Sequence, residues 1–303
     1  MKRRRAAARR GRRRARTAGR SHAAGWLRAA GWLRSIAAAL LPGAKGRRAA
    51  WRALRRAPLL LQILIGSIAA IACWFALNGV YQVVRKPSEL FFPVSGTLNK
   101  SPPETWRRYA PLFREYSTNL ISAELLAALA QVEGSGNPIV RTYWRWTWKP
   151  GAFDIYRPAS SAVGMYQITD GTFAEARRYC IHHHAVALDG PWNDWHSCWF
   201  TRLYTRVVPA HAVELTAAYL DRSVTTVLDR RHMKFVPLER EQELAALIHL
   251  CGAGAGDAYA RRGLRLAENQ RCGDHDARAY VARVMGMKRV FESIERTADR
   301  SGD

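Results

Sequence analysis

The first 57 residues contain no aspartate or glutamate. They hold 19 of the chain's 48 lysines and arginines, so the remainder carries 29 basic against 24 acidic residues and is only mildly basic. The formal charge of +24 is therefore a property of the tail and says little about what the folded part binds. A tail without acidic partners and with few large apolar residues has no core to bury and is expected to be disordered. Cysteine is sparse, five in 303 residues, and no two stand as CxxC. That excludes a zinc ribbon or a thioredoxin-type redox site. Alternating strand-like runs are also few. The weak one, Arg141 to Trp148, fits a hairpin arm, and helical spacing dominates elsewhere, so the fold class is mainly α.

One stretch has no charge at all. Leu59 to Val80 is 22 residues of predominantly apolar sequence. At about 1.5 Å per residue it reaches across a ~30 Å hydrocarbon core. Arginine on its N-terminal side puts residues 1–57 in the cytoplasm and the rest outside, and the long leading region favours an uncleaved anchor. Within the tail A-A-G-W-L-R occurs twice, Ala23–Arg28 and Ala29–Arg34, and Trp51 stands among arginines. Tryptophan with arginine beside a span points to anionic membrane lipid as the tail's partner; nucleic acid is the alternative and is not favoured. The organisation expected is a tail (1–57), a transmembrane anchor (58–84), a Pro- and Ser-rich linker (85–104), a helical domain (105–297) and a disordered C-terminus (298–303).

Cys180, Cys198, Cys251 and Cys272 form an even set in the domain placed outside, where disulfides persist. Four cysteines allow three pairings. Cys180 with Cys198 and Cys251 with Cys272 would close the shortest loops, each contributing about 3 kcal/mol in the loop-entropy model. His182, His183 and His184 have no second ligand cluster at metal spacing, so no metal and no cofactor are expected.

The stretch that organises the domain is Ser122 to Pro138. Ser122 is a plausible N-cap, and Leu126, Leu129, Ala130 and Glu133 share one helical face. Gly134, Gly136 and Pro138 end the helix. A carboxylate is thereby set at a helix end on the rim of an apolar face, a place suited to proton transfer. Further helices are expected at Tyr109–Tyr116, Thr172–Cys180 (capped by Thr169 or Asp170), Ala212–Asp229, Glu239–Leu250 and Ala277–Thr297.

With that carboxylate placed, the chain resembles the lytic transglycosylases of the soluble-lytic-transglycosylase type, a branch of the lysozyme-like superfamily. The family's E-S-x-x-N-P is matched by Glu133-Gly134-Ser135-Gly136-Asn137-Pro138, its G-L-M-Q by Gly164-Met165-Tyr166-Gln167, and its A-A-Y-L by Ala217-Ala218-Tyr219-Leu220. A looser counterpart of A-Y-N-A-G-P-G runs from His249 to Gly256, and Y-V-x-R-V appears as Tyr280-Val281-Ala282-Arg283-Val284. The chain departs from the pattern at Gly134, where the family has Ser, and at Cys251 and Gly252, where it has Tyr-Asn. The resemblance implies a goose-type, lysozyme-like domain after one N-terminal transmembrane helix. It implies cleavage of the MurNAc–GlcNAc β-1,4 bond of peptidoglycan with a 1,6-anhydro product. Glu133 would be general acid and then base, with Ser135, Met165, Tyr166, Gln167 and Tyr280 around the substrate. Aromatic faces stack on sugars, so Trp144 and Trp146 join the expected substrate-binding set. The setting would be a bacterial inner membrane with the domain in the periplasm, near an envelope-spanning secretion or conjugation complex. Two rivals stand beside this: a hydrolytic lysozyme using Asp154 or Asp170 as second carboxylate, and a non-catalytic wall-binding scaffold.

Overall fold

A computed structural model describes residues 55–148, 151, 153–194 and 197–301. Most of the tail, including the A-A-G-W-L-R pair and Trp51, lies outside the described residues. The chain divides into two compact units, Met1–Ala76 and Leu77–Asp303. The described part of the first unit is residues 55–58 and the leading portion of helix α1 (Leu59–Arg85). By length and composition α1 can cross a membrane: its apolar window has a mean hydropathy of 2.2 and none of it is buried.

The second unit is mainly helical. After the last turns of α1 come short 3-10 and helical turns over Pro87–Leu98. Then follow α2 (Pro102–Glu115), α3 (Ala123–Gly134), α4 (Asp170–Ala176), α5 (Pro209–Arg230), α6 (Leu238–Cys251), α7 (Ala253–Arg261) and α8 (Ala277–Ser301). Three small antiparallel hairpins are interleaved: β1 (Trp144–Trp146) with β2 (Tyr156–Pro158), β3 (Tyr179–His182) with β4 (Ala185–Leu188), and β5 (Arg271–Cys272) with β6 (His275–Asp276).

Helix α3 is the centre of the core. Leu125 to Ala130 are all fully buried, and α8, α2 and α5 pack around it. The spacing predicts one apolar stripe, but the helix is enclosed on every side. Its alanines are the reason: Ala127, Ala128 and Ala130 let neighbours approach the faces the leucines leave. Ser122 caps it, accepting from the Leu125 N–H. At the other end the left-handed residue is Ser135 (φ 49°), not a glycine; its N–H closes on Gln131 O, the single bond of an αL cap, and the Gly136 N–H closes on Ala130 O. Gly136 (φ 62°) is still obligatory, because a Cβ there would lie 2.2 Å from Thr105 Oγ1.

Three expectations are corrected. Residues 85–104 are not a linker standing off the membrane. Pro87, Pro93, Pro102 and Pro103 lie in first turns of short helical pieces, where a missing N–H costs nothing. The segment is bonded to the domain: buried Asn137 donates to Ser95 O and to Asn99 Oδ1, and the Lys100 N–H donates to Ser135 O. Helix α2 accordingly starts at Pro102, closed by Glu104 accepting from Ser101 N–H and O–H. At the C-terminus, residues 298–301, expected to be disordered, continue α8. Cys180 ends no helix. It sits in β3, whose hairpin turns through His183 (φ 50°) and His184 (φ 62°), a positive-φ pair with no glycine to signal it.

The disulfides are Cys180–Cys198 and Cys251–Cys272, each with Cα atoms 5.4 Å apart. The first ties β3 to the 3-10 turn at Trp199–Leu203, and the second ties the end of α6 to β5.

Candidate active site

Three helices deliver three side chains to one point. Glu133 comes from the last turn of α3, His249 from the last turn of α6 and Tyr280 from the first turn of α8. The Tyr280 hydroxyl donates to Glu133 Oε1, and His249 Nε2 lies 3.6 Å from the same oxygen. Among the described residues no hydrogen bond occupies Oε2. The Glu133 side chain keeps 18% of its exposure, so it is sunk but open to a groove.

The two neighbours are tuned by burial. Burial, and then the adjacent Glu133 charge, push the Tyr280 hydroxyl well above the usual tyrosine range, so it remains a donor. Burial holds His249 below the usual histidine range, with the Glu133 charge and a hydrogen bond to the Tyr166 backbone opposing it. At neutral pH this imidazole is neutral. The carboxylate therefore has a hydroxyl donor and an imidazole ring beside it.

A tight loop closes the floor. Val163 and Ile168 exchange backbone hydrogen bonds around Gly164-Met165-Tyr166-Gln167. Gly164 (φ 81°) admits no side chain, since its Cβ would meet Arg206 O at 2.1 Å. The loop presses on the end of α3, where a Cβ on Gly134 would be 2.9 Å from Met165 O. This contact accounts for glycine in the place where the family pattern has serine.

The groove of about 720 Å³ beside Glu133 has one helical wall and one hairpin wall. Thr169, Gln167, His249 and Leu250 belong to the first; Tyr143, Arg145, Arg271 and Asp274 to the second. The Cys251–Cys272 bridge pins the β5–β6 hairpin to the helix carrying His249. Tyr143 reaches Asp274 Oδ2 at 3.4 Å across the two hairpins.

Of the expected site residues, the structure brings Glu133, Gln167 and Tyr280 together. Gln167 lines the groove, with its amide donating to Gly164 O and Val140 O. Met165 and Tyr166 do not form the groove wall: both are fully buried, Tyr166 edge-on to the His249 ring. Ser135 is outside the groove, because as the left-handed cap it belongs to the turn that meets Lys100. Trp144 and Trp146 are also outside it. A strand sends alternate side chains to opposite faces, and here Tyr143 and Arg145 take the groove side. Trp144 instead donates to buried Glu89, and Trp146 packs on Tyr156. Neither Asp154 nor Asp170 lines the groove; they pair with Arg85 and Arg157, and with Arg206.

Two site residues escaped the sequence reading. His249 opens the stretch matched to the fourth motif, and its helical position facing α3 was the available signal. Asp274 sits in a two-residue hairpin with no periodic pattern. Among the described residues no three His, Cys, Asp or Glu are grouped to hold a metal. No protein-family model matches the chain, and no curated protein shows significant similarity to it.

Proposed function

We propose that the chain is a membrane-anchored peptidoglycan lytic transglycosylase with a lysozyme-like domain. The observation that carries the reading is the contact of Tyr280 with Glu133 at the edge of a long open groove, between two of the five stretches that resemble the family. In this reading a glycan strand lies along the groove. Glu133 gives its proton to the leaving glycosidic oxygen. The substrate's own N-acetyl group stabilises the cation that forms. Glu133 then takes the proton of the muramyl 6-hydroxyl, which closes the 1,6-anhydro ring. One residue acts as acid and then base, as reversibility of the proton path allows. Tyr280 holds one carboxylate oxygen, leaving the other for the substrate. His249 stands beside the same carboxylate oxygen that Tyr280 holds.

The anchor is α1, with the N-terminus cytoplasmic and the domain in the periplasm of a bacterial inner membrane. The Arg-rich tail would meet anionic lipid, and an envelope-spanning secretion or conjugation complex is the partner such an anchored wall-cutting enzyme would serve.

Asp274 favours a second reading. It is a carboxylate on the opposite side of the groove, and two flanking carboxylates are what glycoside hydrolases use. The two readings separate by mass spectrometry of digested sacculi. The transglycosylase releases muropeptides ending in anhydro-muramic acid; a hydrolase releases reducing ends. Asp274→Asn sharpens the choice: less than tenfold loss is expected here, about 10²-fold or more if Asp274 is a catalytic base.

A further inference from the structure

The segment that follows α1 is inside out. Over Pro87–Leu98 every polar side chain but Thr97 is buried: Ser88, Glu89 and Ser95 retain 7%, 4% and 6% of their exposure. Leu90 keeps 66% of its exposure, Phe91 44% and Val94 49%, so these three apolar side chains face outward. Glu89 is held inside by Lys86 at 3.3 Å, Arg141 at 3.5 Å and the Trp144 ring N–H at 2.9 Å. A water-facing surface would show the reverse pattern. Contiguous exposed apolar area of this kind marks a contact with protein or lipid.

The β1–β2 hairpin lies against the same stem. Asn78 donates to Tyr156 O, Gln82 donates to Phe153 O, and Tyr81 stacks on Phe153 with centroids 5.0 Å apart. Asn78 belongs to the uncharged run that ends at Val80, so these bonds hold the hairpin at the level where that run gives way to Arg85 and Lys86. Beyond the Trp146–Tyr156 pair the hairpin exposes Trp148 completely, and Trp146 is 62% exposed. Tryptophan at the end of an apolar span is the residue of the membrane–water boundary. At the same level a pocket of about 230 Å³ is lined by Arg85, Lys86, Arg157 and Arg206 with Asp170 as the single acid. Arg157 Nε within it is buried without a hydrogen-bond partner.

We infer that the outward side chains of Pro87–Leu98 and the Trp146–Trp148 end of the β1–β2 hairpin form a collar that seats in the bilayer interface around the end of α1, with the arginine-lined pocket receiving the phosphate of an anionic lipid headgroup. Lipid is the occupant the observations select. Pro87–Leu98 follows directly in sequence on a helix that can span a membrane, its apolar side chains match the acyl boundary, and the cationic pocket matches the headgroup layer. The inference rests on α1 being a span and is independent of what the groove cleaves.

The test uses the full chain with Cys73→Ser, which removes the free thiol, and a nitroxide attached through Leu90→Cys, Trp148→Cys or, as a reference in α1, Leu64→Cys. Each protein is placed in bilayers of phosphatidylethanolamine with phosphatidylglycerol, or of phosphatidylcholine alone. Accessibility to dissolved oxygen is compared with accessibility to a water-soluble nickel chelate. The expected result is oxygen-dominated relaxation at Leu90 and Trp148, at least several-fold above a label placed through Phe235→Cys, an exposed position elsewhere in the domain, and weaker in phosphatidylcholine. Nickel-dominated relaxation at Leu90 and Trp148 with an oxygen-dominated Leu64 label overturns the collar while leaving the span standing. Nickel-dominated relaxation at all three sites overturns the span and the collar with it. Equal results in both lipids, or Arg157→Gln without effect, overturn the headgroup assignment.

Discussion

The two walls of the groove are made differently. The helical wall carries Glu133 and His249, with buried Tyr280 behind them bonded to Glu133, each rooted in a helix whose neighbours are buried. The hairpin wall carries Tyr143, Arg145, Arg271 and Asp274 on or beside strands of two or three residues, with a disulfide tying one hairpin to α6 and one long contact joining the two hairpins. The first wall has a fixed geometry, as proton transfer requires. The second is basic and half-exposed, as suits recognition of a polymer. Changes on the helical wall should therefore strike the rate of cleavage, and changes on the hairpin wall substrate affinity.

The largest effect is expected from Glu133→Gln, which removes the acid and keeps the shape: about 10²–10⁴-fold less product from sacculi, with an unchanged circular dichroism spectrum. Tyr280→Phe removes one hydrogen bond to a charged group, worth about 1.5–3 kcal/mol. It should lower kcat about 10- to 100-fold with KM little changed. A large KM increase instead would move Tyr280 to the recognition side. Next, Cys251→Ser with Cys272→Ser frees the hairpin wall. Stability should fall by about 3 kcal/mol in urea titration, and KM should rise more than kcat falls. Smaller again is Arg145→Ala, expected to raise KM several-fold at constant kcat, while Trp146→Ala, one residue along the strand, leaves both unchanged. Equal effects from the two would break the face assignment.

The smallest effect is one of pH. His249 has a lowered pKa in the fold, so the unfolded chain takes up its proton first as pH falls. Its contribution to stability is complete above the unfolded value of about 6.5 and is lost on acidification below it. His249→Gln should therefore reduce the drop in urea midpoint between about pH 7.5 and pH 5. Glu214, whose pKa burial raises, acts with the opposite sign and is common to both proteins.

The same contrast explains what was legible in the sequence. Helix α3 with its Ser122 cap, the course of α5, α6 and α8, and the uncharged run of α1 follow from spacing, because helices of a dozen residues or more repeat their pattern several times. Tyr280 beside Glu133 came from the order of the motifs. The hairpin wall was not legible. Strands of two or three residues give no period, and which face of β1 meets the groove is a register question that tertiary contacts decide. Trp144 was drawn to Glu89, a residue assigned to a linker, so the error over the linker and the error over Trp144 are one error. Helix α7 is absent from the expected helices for another reason: Gly252, Gly254 and Gly256 carry no apolar period, yet Gly256 is where α7 crosses α6, its absent Cβ leaving room for Ile248.

The central claim is that Glu133 works with the substrate's own hydroxyl and not with water. Cleavage of purified sacculi by the full chain in water enriched in heavy oxygen tests it directly. The account predicts new muramyl ends with no heavy oxygen and the mass of the anhydro sugar, absent with Glu133→Gln. Muramyl ends that carry one heavy oxygen atom would contradict it.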